Sequence, residues 1–150
     1  MDAELTLTNQ FDADFLRLTD QLMREYVSLY GEEALEFCPV EAVSEVLCAV
    51  VARCGGSPAA SGAFRRFDDI SAELMRIYVL PEYRRQGLGV QIVRALEAEA
   101  KRRGFSRMVL VTGDDMPDAL SLYAWLGYTR MESYGPHKDD PICVCMQKSF

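Results

Sequence analysis

Val79-Leu80-Pro81-Glu82-Tyr83-Arg84-Arg85-Gln86-Gly87-Leu88-Gly89-Val90 is the stretch from which the rest of the chain can be read. Pro81 ends an alternating run, Ser71–Leu80, that reads as a strand. Beyond it Leu88, Ile92, Leu96 and Ala100 recur every four residues, with Arg94, Glu97, Lys101 and Arg102 opposite. That spacing predicts a helix over Gly87–Arg103, stopped at Gly104. Two glycines one residue apart at a strand–loop–helix junction let backbone approach a ligand closely, and free N–H groups at a helix N-terminus bind phosphate. Arg84 and Arg85 add positive charge at the mouth. No Gly-Lys-Ser/Thr follows, so the loop is not a P-loop. The third glycine of a dinucleotide fingerprint would fall at Ile92.

Upstream, Ala3–Asn9 alternates as a first strand. Asp12 caps a helix carrying Phe15, Leu18, Leu22, Tyr26 and Leu29 on one stripe, with Gly31 as its stop. Glu32–Ser44 is irregular and reads as a short second helix broken at Pro39. Val46–Arg53, Ala59–Phe67 and Ser71–Leu80 are apolar runs separated by Gly55-Gly56-Ser57-Pro58 and Asp68-Asp69, the pattern of an antiparallel meander. Downstream come a buried-type strand at Met108–Thr112, a helix from Pro117 to Leu126, and closing strands at Tyr128–Tyr134 and Ile142–Gln147. The whole is a mixed α/β sheet in one domain spanning residues 1–150, with no internal repeat or linker.

The 150 residues are 49% hydrophobic and 26% charged, enough for one core and too apolar for disorder. No apolar run reaches membrane-spanning length, and the acidic start Met1-Asp2-Ala3-Glu4 is unlike a secretory signal; both point to a soluble, cytoplasmic protein. Five cysteines are read as free thiols in a reducing compartment, and a single histidine with no CxxC pair points away from a metal. The net charge of −7 argues against nucleic acid. It is uneven: residues 1–75 hold 5 basic and 14 acidic groups, whereas residues 76–107 hold 8 basic and 3 acidic. The basic segment is either a solvated helix face or a surface for an anion.

Arg84-x-x-Gly87-x-Gly89, after a strand and opening a helix, resembles the acetyl-CoA signature of the GNAT superfamily of N-acyltransferases. Ala119-Leu120-Ser121-Leu122-Tyr123-Ala124-Trp125-Leu126-Gly127-Tyr128 resembles its second motif, about 30 residues on as in that family. The element order matches along essentially the whole chain. The tail, Tyr134-Gly135-Pro136-His137 with Cys143-Val144-Cys145, resembles a bacterial subgroup of small, mostly uncharacterised members. The resemblance implies a mostly antiparallel sheet of about seven strands flanked by about four helices, and transfer of the acetyl group of acetyl-CoA, without a metal, to a primary amine of a small molecule or peptide. The alternative is a non-catalytic CoA-binding regulatory module. A homodimer is left open, since members often dimerise.

The resemblance further implies that backbone groups of Ile77 and Val79, with Tyr78 between them, bind the pantetheine arm. Amides of Arg85, Gln86, Gly87, Leu88, Gly89 and Val90, beside Arg84, then cradle the pyrophosphate. Glu73 stands where several family members carry a general base, and on a regular strand Glu73, Met75, Ile77 and Val79 share one face. A surface glutamate is the plain alternative. Tyr123 falls where a phenol donates a proton to the departing thiolate, or is a core aromatic. Arg76, Tyr134 and His137 are candidates for the acceptor site; Tyr30 and Phe37 line either the cleft or the core. Many family members have Asn where this chain has Met116.

Overall fold

The computed structural model describes residues 3–33, 45–135, 138 and 140–150. The predicted short helix in Glu32–Ser44 lies almost wholly outside them, as do Phe37 and His137. Seven strands form one sheet: β1 (Glu4–Thr8), β2 (Val46–Cys54), β3 (Ser57–Arg66), β4 (Ser71–Val79), β5 (Arg107–Gly113), β6 (Thr129–Arg130) and β7 (Cys143–Ser149). Their order is β1-β2-β3-β4-β5-β7-β6, antiparallel except for β4 beside β5. Among the described residues there are three α-helices, α1 (Ala13–Tyr30), α2 (Leu88–Arg102) and α3 (Pro117–Trp125), with a 3₁₀ turn at Pro81–Tyr83; the fourth expected helix is the one in Glu32–Ser44, outside these residues.

The local chemistry explains the boundaries. Asp12 Oδ1 accepts from the amides of Asp14 and Phe15 at 2.9 Å each, satisfying two orphan donors at the start of α1. Gly55 and Gly56, both at positive φ, make the tight β2–β3 turn. The near-continuous apolar run in β2 reflects a sheet covered on both faces. Cys48, Val50 and Ala52 face the α2 layer with Phe64, Ile92 and Leu96, whereas Ala49 and Val51 face α1 with Phe15, Leu18 and Leu22. Leu29, assigned to the same stripe from its spacing, is exposed. The closing strand expected over Tyr128–Tyr134 shortens to Thr129–Arg130, and Tyr134 instead sets its ring edge-on to Phe67, 4.6 Å between centroids.

Two irregularities in β4 create the site. β4 pairs with β5 only over Ser71–Glu73, after which the two parallel strands part. Ser61 pairs with Tyr78 and Ala63 with Met75, so Arg76 and Ile77 together oppose Gly62 in a β-bulge, with Arg76 at φ 59°. The bulge overturns the expectation that Glu73, Met75, Ile77 and Val79 share a face. One extra residue reverses the alternation: Met75 packs with the α1 cluster, while Ile77 and Val79 pack with the α2 cluster. Gly62 is required beneath it, because a Cβ there would lie 2.5 Å from Ile77 Cδ1 and 2.7 Å from Ile92 Cγ2.

Candidate active site

Where β4 and β5 part, a cleft of about 400 Å³ opens. Leu22, Tyr26 and Tyr30 of α1 form one wall, Glu73–Ile77 of β4 the floor, and Leu110–Gly113 with Met116, Ala119 and Tyr123 the far side. Asp140, Ile142 and Cys143 close it from the approach to β7. No helix among the described residues is long and apolar enough to cross a membrane.

The glycine loop presents free donors. Gly87 sits at φ 83° as the N-cap of α2 and Arg85 at φ 64°. The first bond of the helix runs from Gln91 N–H to the Gly87 carbonyl. Among the described residues no backbone carbonyl accepts from the amides of residues 85–90. These donors gather at the positive end of the α2 dipole, a setting chemically suited to an anion. The Gly87 Cβ position meets no protein atom within 4 Å, whereas a Cβ on Gly89 would come 3.3 Å from Leu122 Cδ2. The start of α2 is thus pressed against α3 while Gly87 faces open space. Leu88 is anchored in the core and Val90 packs against it.

Arg84 braces this loop. Its Nε donates to the Val79 carbonyl at 2.9 Å, and Nη2 donates to both oxygens of Glu25 at 3.1 and 3.2 Å. The guanidinium also lies 5.6 Å from the Tyr78 ring centroid. Tyr78 donates its hydroxyl to Glu25 at 2.8 Å, and its phenol is pushed up to about 12, mainly by burial and then by that carboxylate. Leu80 N–H bonds to the Ala59 carbonyl of β3, so by alternation the backbone groups of Tyr78 face β3, and those of Ile77 and Val79 point away from it, on the side where β5 has parted.

Glu73 lies at the base of the cleft with its side chain 8% exposed. Its Oε1 accepts from Arg65 Nε at 2.6 Å and its Oε2 from the Tyr134 hydroxyl at 2.6 Å. Burial, reinforced by the Glu73 charge, raises the Tyr134 phenol well above its ordinary range. Arg65 was not singled out from sequence, yet Arg65 and Glu73 are direct cross-strand partners; a register drawn through the Asp68-Asp69 turn exposes the pair. Tyr134 hydrogen-bonds Glu73 and is not among the residues that line the cleft. Arg76 is buried, lines the cleft, and donates Nη1 to Met23 Sδ at 2.7 Å. Tyr30 lines the cleft, its phenol raised by burial and by Asp115 beside it.

Tyr123 is buried on α3 with its ring 5.8 Å from that of Tyr128, and it forms part of the cleft surface. Burial pushes its phenol above the ordinary value, and its hydroxyl has no hydrogen-bond partner among the described residues. Its ring packs in the core and its edge reaches the cleft.

The acetyltransferase (GNAT) family model matches residues 14–128. The "IAA acetyltransferase" of Azospirillum brasilense is 26% identical over 135 residues, covering 89% of this chain and 88% of the relative. A Klebsiella pneumoniae protein assigned as an acyl-CoA N-acyltransferase superposes with a TM-score of 0.80 at 28% identity, over 98% of this chain and 97% of that one. PaiA N-acetyltransferase from Thermoplasma acidophilum, solved in complex with coenzyme A, shares the fold with a TM-score of 0.76 at 19% identity over the full length of both chains. The seven-stranded sheet split between β4 and β5, the glycine loop before α2 and the Leu-Tyr of α3 thus occur together in a chain that belongs to the GNAT family of acetyltransferases.

Proposed function

We propose that the chain moves the acetyl group of acetyl-CoA to a primary amine of a small molecule or peptide by direct attack within a ternary complex. The observation that carries this reading is the row of amides at 85–90 with no backbone acceptor among the described residues, set at the start of α2 shortly after β4, whose residues Glu73–Ile77 floor the cleft. Those amides would hold the pyrophosphate, with Arg85 adding charge and Arg84 keeping the loop rigid. Backbone groups of Ile77 and Val79 that point away from β3 would take the pantetheine arm in strand fashion, although the Val79 carbonyl is already engaged by Arg84. The bound thioester supplies an activated acyl carbon and a thiolate leaving group.

The protein's part is to take a proton from the amine, polarise one carbonyl and stabilise the departing sulfur. An alkylammonium is mostly protonated at neutral pH, with a pKa of ~10.4 for a lysine-like amine, so a base must take its proton. Glu73 is the carboxylate on the cleft floor, and its two bonded donors leave lone pairs on both oxygens for the amine or an intervening water. The N–H of Ile77 would point at the carbonyl oxygen as charge develops there. Tyr123 holds its proton firmly because burial raises its phenol. A thiolate with a pKa of ~8.5 cannot fully deprotonate such a phenol at equilibrium, so Tyr123 acts as a hydrogen-bond donor to the developing sulfur charge.

Titration with acetyl-CoA, CoA and longer acyl-CoAs, followed by thiol release against a panel of amines, tests the reading. Binding together with amine-dependent thiol release supports it. Acetyl-CoA binding without turnover on any amine favours the regulatory module, and absence of all binding removes both.

A further inference from the structure

Glu73 has neither oxygen to itself. Arg65 Nε holds Oε1, the Tyr134 hydroxyl holds Oε2, and Arg65 is itself shared, its Nη1 donating to Glu45 at 2.7 Å. The four groups form one chain from the start of β2, across β3 and β4, to the β6–β7 connection. A carboxylate's terminal torsion is broad and nearly two-fold, so a single donor leaves it free to swing about that contact. A second donor on the other oxygen removes this freedom and determines which remaining lone pairs face the cleft. Tyr134 is held in place independently by its edge contact with Phe67.

We propose that Tyr134 is a positioning residue for acetyl transfer, its hydroxyl acting through Glu73 and touching neither acetyl-CoA nor the amine. The inference rests on the reading of Glu73 as the base. In the step it serves, an N–H bond of the acceptor breaks and an O–H bond forms on Glu73. The electron pair left on nitrogen then makes the bond to the acyl carbon, the C–S bond of the thioester breaks with its pair on the leaving sulfur, and the second nitrogen proton passes to that thiolate to give CoA. Holding the carboxylate at one angle keeps the accepting lone pair aimed at the amine, a matter of orientation that bears on turnover and leaves binding alone.

Tyr134→Phe isolates the hydroxyl, because the phenyl ring retains its contact with Phe67. Loss of one hydrogen bond to a charged group predicts a kcat about tenfold lower, with KM for acetyl-CoA and for the amine changed less than about twofold and the unfolding midpoint preserved. In a Glu73→Gln background the same change costs no further activity. An equal loss in both backgrounds, or a raised amine KM with kcat kept, overturns the proposal, since the hydroxyl would then act independently of Glu73. Unchanged kcat in Tyr134→Phe beside a crippled Glu73→Gln overturns the positioning role and leaves the base standing. Full activity in Glu73→Gln removes the base reading and the proposal with it.

Discussion

Replacing Gly87 by glutamate tests the anion cradle with a magnitude that can be worked out in advance. Two effects are separable. Gly87 holds φ 83°, and a side chain in that left-handed region costs roughly 1–2 kcal/mol. For a chain of 150 residues each kcal/mol lowers the unfolding midpoint by about 2–4 °C, so a fall of roughly 2–8 °C is expected. The added Cβ meets no protein atom within 4 Å, so little clash adds to this. The carboxylate would instead enter the space the amides of 85–90 face. At a separation of about 6 Å and an effective dielectric near ~40, it repels each pyrophosphate charge by about 1.4 kcal/mol. Two charges give about 3 kcal/mol, or roughly 100-fold weaker binding of acetyl-CoA. Calorimetric titration reads the affinity, and thermal unfolding without ligand reads the strain. Gly87→Asn is the control, because asparagine tolerates the left-handed region and brings no charge. Its affinity should fall by less than about tenfold. Acetyl-CoA binding to Gly87→Glu within about threefold of the parent protein would refute the cradle.

Three further outcomes follow from named contacts. Tyr123→Phe removes a hydroxyl at the cleft that has no hydrogen-bond partner among the described residues, so stability should hold; kcat should fall about 10- to 100-fold with acetyl-CoA affinity unchanged, as steady-state kinetics beside titration would show. Gly62→Ala pushes into Ile77 and Ile92 beneath the bulge, so chemical denaturation should register a loss of about 1–3 kcal/mol, with a raised KM for acetyl-CoA because the Ile77 backbone shifts. Glu99 is held down to about 2 by its bonds to Arg102, and further by Arg103, against an ordinary 4.5. The folded state therefore binds fewer protons than the unfolded one. The contribution of Glu99 is complete above about 4.5 and is lost as pH falls through about 2, so Glu99→Gln should flatten the acid limb of a stability–pH curve in that window.

How much of this was readable beforehand depended on whether the information is local. Strand, turn and cap signals are short-range, which is why Asp12, Gly55-Gly56, Pro81 and Gly104 mark element ends where spacing placed them. The glycine loop was legible for the same reason: backbone donors at a helix start are created by the residues that form that start. The bonds of Tyr134 and Arg65 to Glu73 were not, because Glu73 lies 61 and 8 residues away from them, and only strand register and a connection leaving the sheet bring the three together.

The sequence by itself determined a mixed α/β domain, the meander, the glycine-rich loop before α2, and the presence of Glu73 and Tyr123 on elements that could meet. Tertiary structure alone decided the rest. Alternation in a regular strand placed Glu73, Ile77 and Val79 on one face, yet the bulge at Arg76 divides them between two. The bulge exists because Gly62 on β3 admits Ile77 against Ile92, and it accompanies the parting of β4 from β5 that opens the cleft. Periodicity registers which way side chains point along one strand, but a two-against-one register is a property of the pair, and no single strand's pattern contains it.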